Sequence, residues 1–94
     1  MLEVNNAHPM PGRLVVEVIE SDGIDHNLGI TLPHDIHKTK FATVVRTSDA
    51  ETFPVGCTIM YDRMHGSEIE MLSPDGVPME FTVVMTADVS LAFY

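Results

Sequence analysis

The stretch Arg13-Leu14-Val15-Val16-Glu17-Val18-Ile19-Glu20 decides the fold class. Its residues Leu14, Val16 and Val18 recur at every second position, the spacing at which a strand returns side chains to one face. β-Branched residues, Val15, Val16, Val18 and Ile19, fill half of the stretch, and they pack well on a pleated surface. A strand over 13–20 is therefore predicted.

The same pattern continues outward from it. Phe41 to Val45 reads as a second strand, and Val55-Gly56-Cys57-Thr58-Ile59-Met60-Tyr61 puts Val55, Cys57, Ile59 and Tyr61 on one face. Glu68 to Leu72 is a shorter strand. Ser73-Pro74-Asp75-Gly76 is a turn, because Pro pre-sets the turn backbone and Gly accepts positive φ, and Val77 to Met85 pairs back across it. Val89-Ser90-Leu91-Ala92-Phe93-Tyr94 closes the chain as a last strand. No run of ten or more residues carries a helical stripe. Short strands separated by turn signals within 94 residues predict an all-β chain, a small antiparallel β-barrel built as a single domain over 1–94.

One segment fits neither period. Residues 21 to 40, Ser-Asp-Gly-Ile-Asp-His-Asn-Leu-Gly-Ile-Thr-Leu-Pro-His-Asp-Ile-His-Lys-Thr-Lys, have no alternation and no stripe. A structureless stretch of that length is uncommon in a compact domain and is usually functional or disordered. At its centre Gly29-Ile30-Thr31-Leu32-Pro33 is a short apolar patch among His, Asp, Asn and Lys. Two readings stay open: Ile30 and Leu32 tuck onto the barrel, or the patch is a linear motif for another protein's groove that orders on binding.

Composition removes several classes. Fourteen acidic residues against five basic ones give a net charge of −9, the wrong sign for nucleic acid or an anionic membrane surface. Four Phe, two Tyr and no Trp make a poor base-stacking platform. No apolar run approaches the ~20 residues of a spanning helix. The start Met1-Leu2-Glu3-Val4-Asn5-Asn6 has no basic region followed by an apolar one, and a cytoplasmic setting is expected. The single cysteine, Cys57, excludes an internal disulfide framework. Placed in an alternating strand, it reads as a small buried hydrophobe, not a nucleophile. Glu68 and Glu70 share a strand face that points to solvent. No catalytic triad or phosphate-binding Gly-rich loop is visible, so no enzyme and no cofactor is expected.

The order of these features resembles the GroES-like, ten-kilodalton co-chaperonin family over Pro9 to Phe93. Pro9-Met10-Pro11-Gly12-Arg13-Leu14-Val15-Val16 is similar to the family's opening segment, and Gly29-Ile30-Thr31-Leu32 to its mobile-loop motif. Phe41-Ala42-Thr43-Val44-Val45 sits where the family has the strand leaving that loop. Pro54-Val55-Gly56-Cys57-Thr58-Ile59-Met60-Tyr61 resembles the Val-Gly-Asp strand entry with Cys57 in place of Asp. Glu80 to Ala92 looks like the closing strand, acidic turn and interface strand.

The resemblance implies a GroES-like β-barrel with a long mobile loop, about 21–40, that docks through Gly29, Ile30, Thr31 and Leu32 on a GroEL-type chaperonin holding nucleotide. It implies a homo-heptamer in which the first strand of one subunit pairs with the last strand of the next, through Leu14, Val16, Val89, Leu91 and Phe93. Client proteins would fold inside the closed chamber. Two departures stand out. Only Arg46 to Pro54 joins Val45 to Val55, where the family carries a roof hairpin; some viral members lack it, which implies a bacteriophage protein acting in the host cytoplasm on a viral client such as a capsid protein. Thr31 replaces a more apolar residue within the motif.

Two alternatives remain beside it. One is a free-standing β-barrel adaptor whose loop binds a different protein. The other is a metal-responsive module, in which His26, His34 and His37, with Asp25 and Asp35, hold an ion such as zinc.

Overall fold

The structure is a computed structural model and describes residues 2–19, 24–25, 30–31, 39–62 and 65–94. Its strands are β1 (Arg13–Ile19), β2 (Ile24–Asp25), β3 (Ile30–Thr31), β4 (Thr39–Thr47), β5 (Thr58–Asp62), β6 (Ser67–Leu72), β7 (Pro78–Met85) and β8 (Val89–Phe93). The chain is all-β: among the described residues the only helical pieces are single 3-10 turns at Val4–Asn6 and Thr86–Asp88. Accordingly, no helix among them is long and apolar enough to cross a membrane.

Six strands form one antiparallel sheet in the order β6-β7-β1-β4-β5-β8, and β2 pairs with β3 separately. The sheet is barrel-like but not closed, since β6 and β8 are its two edges and are not hydrogen-bonded to each other. β1 and β4 form its centre, with Ile19 opposite Phe41 and Leu14 opposite Thr47. An irregularity between Val15 and Val16 shifts the register against β4, which is the kind of defect that bends a strand and increases its twist.

Alternation along β1 serves two cores. Leu14 and Val16 join Ala42, Val44, Cys57, Ile59, Tyr61 and Val84 in the larger cluster, with Val18, Phe53, Val89 and Ala92 against it. Val15, facing the other way, packs with Val4, Met71 and Phe81 in a second cluster. Each fully buried Val, Leu, Ile or Phe contributes roughly 1.5–3 kcal/mol, so both faces of this central strand help hold the fold. The second cluster is capped by the amino-terminal segment. The backbone amide of Leu72 donates to the Leu2 carbonyl at 2.8 Å, and Arg46 Nε donates to the Ala7 carbonyl at 2.9 Å.

Most predicted strands are present within a few residues of their expected bounds. Two expectations are corrected. Val55 is 63% exposed and lies in a turn, with Gly56 at φ +98°, so β5 begins at Thr58; the left-handed glycine breaks the extended run there. The stretch 21–40 is not wholly without strand, since β2 and β3 pair within it and Thr39 and Lys40 already belong to β4. The turn at 73–76 forms as expected: Gly76, at φ +82°, donates its amide to the Ser73 carbonyl at 2.8 Å.

Candidate functional site

The long segment leaves the sheet at Ile19 and returns at Thr39, and its two stems are neighbours because Ile19 pairs with Phe41. The two described stems, Ile19 and Thr39, therefore lie at one end of the two central strands. Within the segment Ile24 stands opposite Thr31 and Asp25 opposite Ile30. Of the four motif residues, Ile30 and Thr31 are thus the β3 strand, while Gly29 and Leu32 lie outside the described residues. His26, His34, Asp35 and His37 lie outside them too. Among the described residues no group of three or more His, Cys, Asp or Glu side chains is placed to hold a metal ion.

The edges of the sheet differ in chemistry. β6, Ser-Glu-Ile-Glu-Met-Leu, carries exposed Glu68 and Glu70, and charge on an edge strand discourages further strand addition. β8, Val-Ser-Leu-Ala-Phe, carries no charge, and Leu91 is 52% exposed on it. Val89 packs against the larger core and Phe93 lies 6.2 Å from Phe41 between ring centroids, so these two are half-buried. Of the three β8 residues expected at a subunit interface, Leu91 is the one that faces out. The placement of β1 corrects the other part of that expectation. Leu14 and Val16 are wholly buried, and β1 is hydrogen-bonded to β4 on one side and β7 on the other. They are core residues of a central strand, so an interface edge has to come from elsewhere in the chain.

The turn leading into β8 is fixed on both sides. Thr86 donates its amide to the Gly12 carbonyl at 2.9 Å, and His65 Nδ1 lies 4.0 Å from Asp88 Oδ2, bringing the β5–β6 connection against this turn. At the far end of β8 the Tyr94 hydroxyl donates to the Thr52 carbonyl. Thr52 belongs to the β4–β5 connection, where the Phe53 amide donates to the Asp49 carbonyl at 2.8 Å and the Thr52 amide to Asp49 Oδ1 at 3.2 Å. Residues 48–57 make these turns and contain no strand.

Cys57 is 5% exposed and packs in the larger core, and burial pushes its thiol pKa up, leaving it a poor nucleophile. Tyr61 is also shifted up, chiefly by burial, with the Glu68 charge adding and a hydrogen bond with Thr82 opposing. Glu68 and Glu70 are exposed as expected.

Two parts of this arrangement were not foreseen. The β2–β3 pairing has only two residues per strand, too short to show a period. Arg46 and Val4, which fasten the amino-terminal segment, stand in no motif; Val4 as the one apolar residue between Glu3 and Asn5 was the available signal. No protein-family model matches the chain, and no curated protein is recognisably similar to it in sequence.

Proposed function

We propose that this protein is a co-chaperonin of the GroES type: a ring-forming lid whose loop docks on the nucleotide-bound ring of a GroEL-type chaperonin and closes a chamber for client folding. The observation that carries the reading is the pairing of Ile19 with Phe41, which gathers both stems of the Gly29-Ile30-Thr31-Leu32 segment at one end of a rigid sheet. A linear motif whose two stems are neighbouring central strands has a defined origin. One such motif with two apolar anchors binds weakly, whereas several on one ring gain affinity through effective concentration.

The uncharged open edge of β8 supports the ring. Its outer side, which no other described strand pairs, and exposed Leu91 suit strand addition by a different surface of a neighbouring subunit. Heptameric stoichiometry, a bacteriophage origin and a viral client rest on the resemblance; the short β4–β5 connection, which leaves little material for a roof, agrees with that origin. ATP hydrolysis belongs to the chaperonin in this reading, and the lid itself catalyses no reaction.

The test is docking by a variant carrying Ile30→Asp and Leu32→Asp together. Co-sedimentation with a chaperonin and ADP is expected for the parent chain and lost in the variant, with its own oligomeric state unchanged. Docking that survives the double change refutes the motif. An adaptor for a different protein is the competing reading, and it is favoured if the parent chain neither assembles nor joins a chaperonin.

A further inference from the structure

We propose that the cleft where β1, β7 and the turn before β8 meet binds a small zwitterion, an α-amino acid with an apolar side chain. The site stands independently of the co-chaperonin reading. Register places its walls: Arg13 opposes Met85, Val15 opposes Val83, and Val83 opposes Ser67. Directly opposed residues of an antiparallel pair share a face, as does every second residue along a strand. Arg13, Met85, Val83 and Ser67 therefore lie on the face that carries Val15, Met71 and Phe81. Beyond that cluster the face opens into a cleft of about 440 Å³, which His65 and Asp88 also line. Its size is that of a site for a small organic molecule.

Two opposite charges line this cleft without pairing with each other. The backbone of Arg13 is fixed: its amide donates to the Met10 carbonyl at 3.0 Å and to Ser48 Oγ at 3.3 Å, and its carbonyl accepts from Ser48 Oγ at 2.8 Å. Its guanidinium makes no hydrogen bond or ion pair with any described residue, Asp88 included. Asp88 Oδ2 stands 4.0 Å from His65 Nδ1, a long contact that carries charge on both sides only when the imidazole is protonated. A guanidinium takes a carboxylate through two parallel bonds, and the Ser67 hydroxyl has a further donor for it. An ammonium donates to the Asp88 carboxylate, while Val83 and the half-exposed Met85 give a side chain an apolar floor. A ligand with a carboxylate alone would face Asp88 uncompensated, and one with an ammonium alone would face Arg13. Only a zwitterion satisfies both.

The test titrates the purified chain, at constant ionic strength, with L-leucine and with its two singly charged isosteres: isocaproate, which lacks the ammonium, and isoamylamine, which lacks the carboxylate. Amide chemical shifts of Arg13, Ser67, Met85 and Asp88 report binding. Leucine is expected to shift them saturably. Each isostere should bind roughly tenfold or more weakly, the usual loss when a hydrogen bond to a charged group goes. Arg13→Gln and Asp88→Asn should each weaken leucine binding by a similar factor and leave the urea midpoint unchanged, since both side chains lie outside the two core clusters. Absence of a saturable shift with leucine overturns the proposal. So does either isostere binding as tightly as leucine, which would leave a cleft for a simple anion or cation. Leucine binding that survives both substitutions would place the ligand elsewhere on the chain and overturn the site.

Discussion

Gly66 lies so close to Thr82 that a Cβ built on it would stand 2.8 Å from Thr82 Cγ2 and 3.6 Å from Tyr61 Cε2. Only a residue without a side chain lets the β5–β6 connection close over this corner of the core. Gly66→Ala is expected to lower stability by roughly 1–3 kcal/mol, the usual range for overpacking, read from the urea midpoint. Thr82→Ser removes the offending methyl and keeps the hydroxyl that bonds Tyr61, so adding it to Gly66→Ala should recover much of the loss. Equal losses in the single and double variants would show that the contact is not the cause.

The amino-terminal segment makes a second, separable contribution. Val4 is 2% exposed in the cluster with Val15, Met71 and Phe81, whereas Leu2 is 65% exposed. Val4→Asp should destabilise by about 2–4 kcal/mol, from lost burial and an unpaired charge. Leu2→Asp should stay within about 0.5 kcal/mol of the parent. Thermal and urea unfolding check both, and equal effects would mean that the segment is not seated by Val4.

Burial sets the sign of an alkaline effect. Tyr61 and Cys57 hold their protons more tightly folded than unfolded, since desolvation disfavours phenolate and thiolate, and their ordinary values are 10.0 and 9.0. Their contribution is complete below those values and is lost as pH rises through the higher folded ones. The urea midpoint should therefore begin to fall near pH 9, where unfolded Cys57 ionises, and fall further above about pH 10, and Tyr61→Phe should flatten the slope above about pH 10 even though it loses the bond to Thr82. An unchanged slope in the variant would place the effect on other groups.

The open edge makes a claim about assembly. On the proposed ring reading, Leu91→Asp is expected to give monomers with unchanged far-ultraviolet circular dichroism, because Leu91 is exposed and outside both core clusters. Glu70→Gln on the opposite edge should leave the assembly intact. Rings that persist in the Leu91 variant would remove β8 from the interface.

How much of this was readable from the residues depends on the length of each pattern. Strands of five or more residues, such as β1 and β7, announce themselves by a period of two or by β-branched runs. Val55 misleads because a Val-Gly pair looks like a strand entry, and only the positive φ of Gly56 reveals the turn. Leu14 and Val16 were legible as buried but not as central, since alternation says which face is apolar and not which strands flank it. The candidate site was the less legible part. Its motif residues were named from a resemblance, the β2–β3 strands are too short to show a period, and the contact of Arg46 with Ala7 joins residues far apart in the chain.

Sedimentation of the purified chain at moderate salt, alone and then mixed with a GroEL-type chaperonin plus ATP or ADP, tests the central claim most directly, with salt screening the repulsion expected of a chain of charge −9. The account predicts a species of about seven subunits that joins the chaperonin only with nucleotide, as the family resemblance implies. A monomer that never joins, with or without nucleotide, would contradict it.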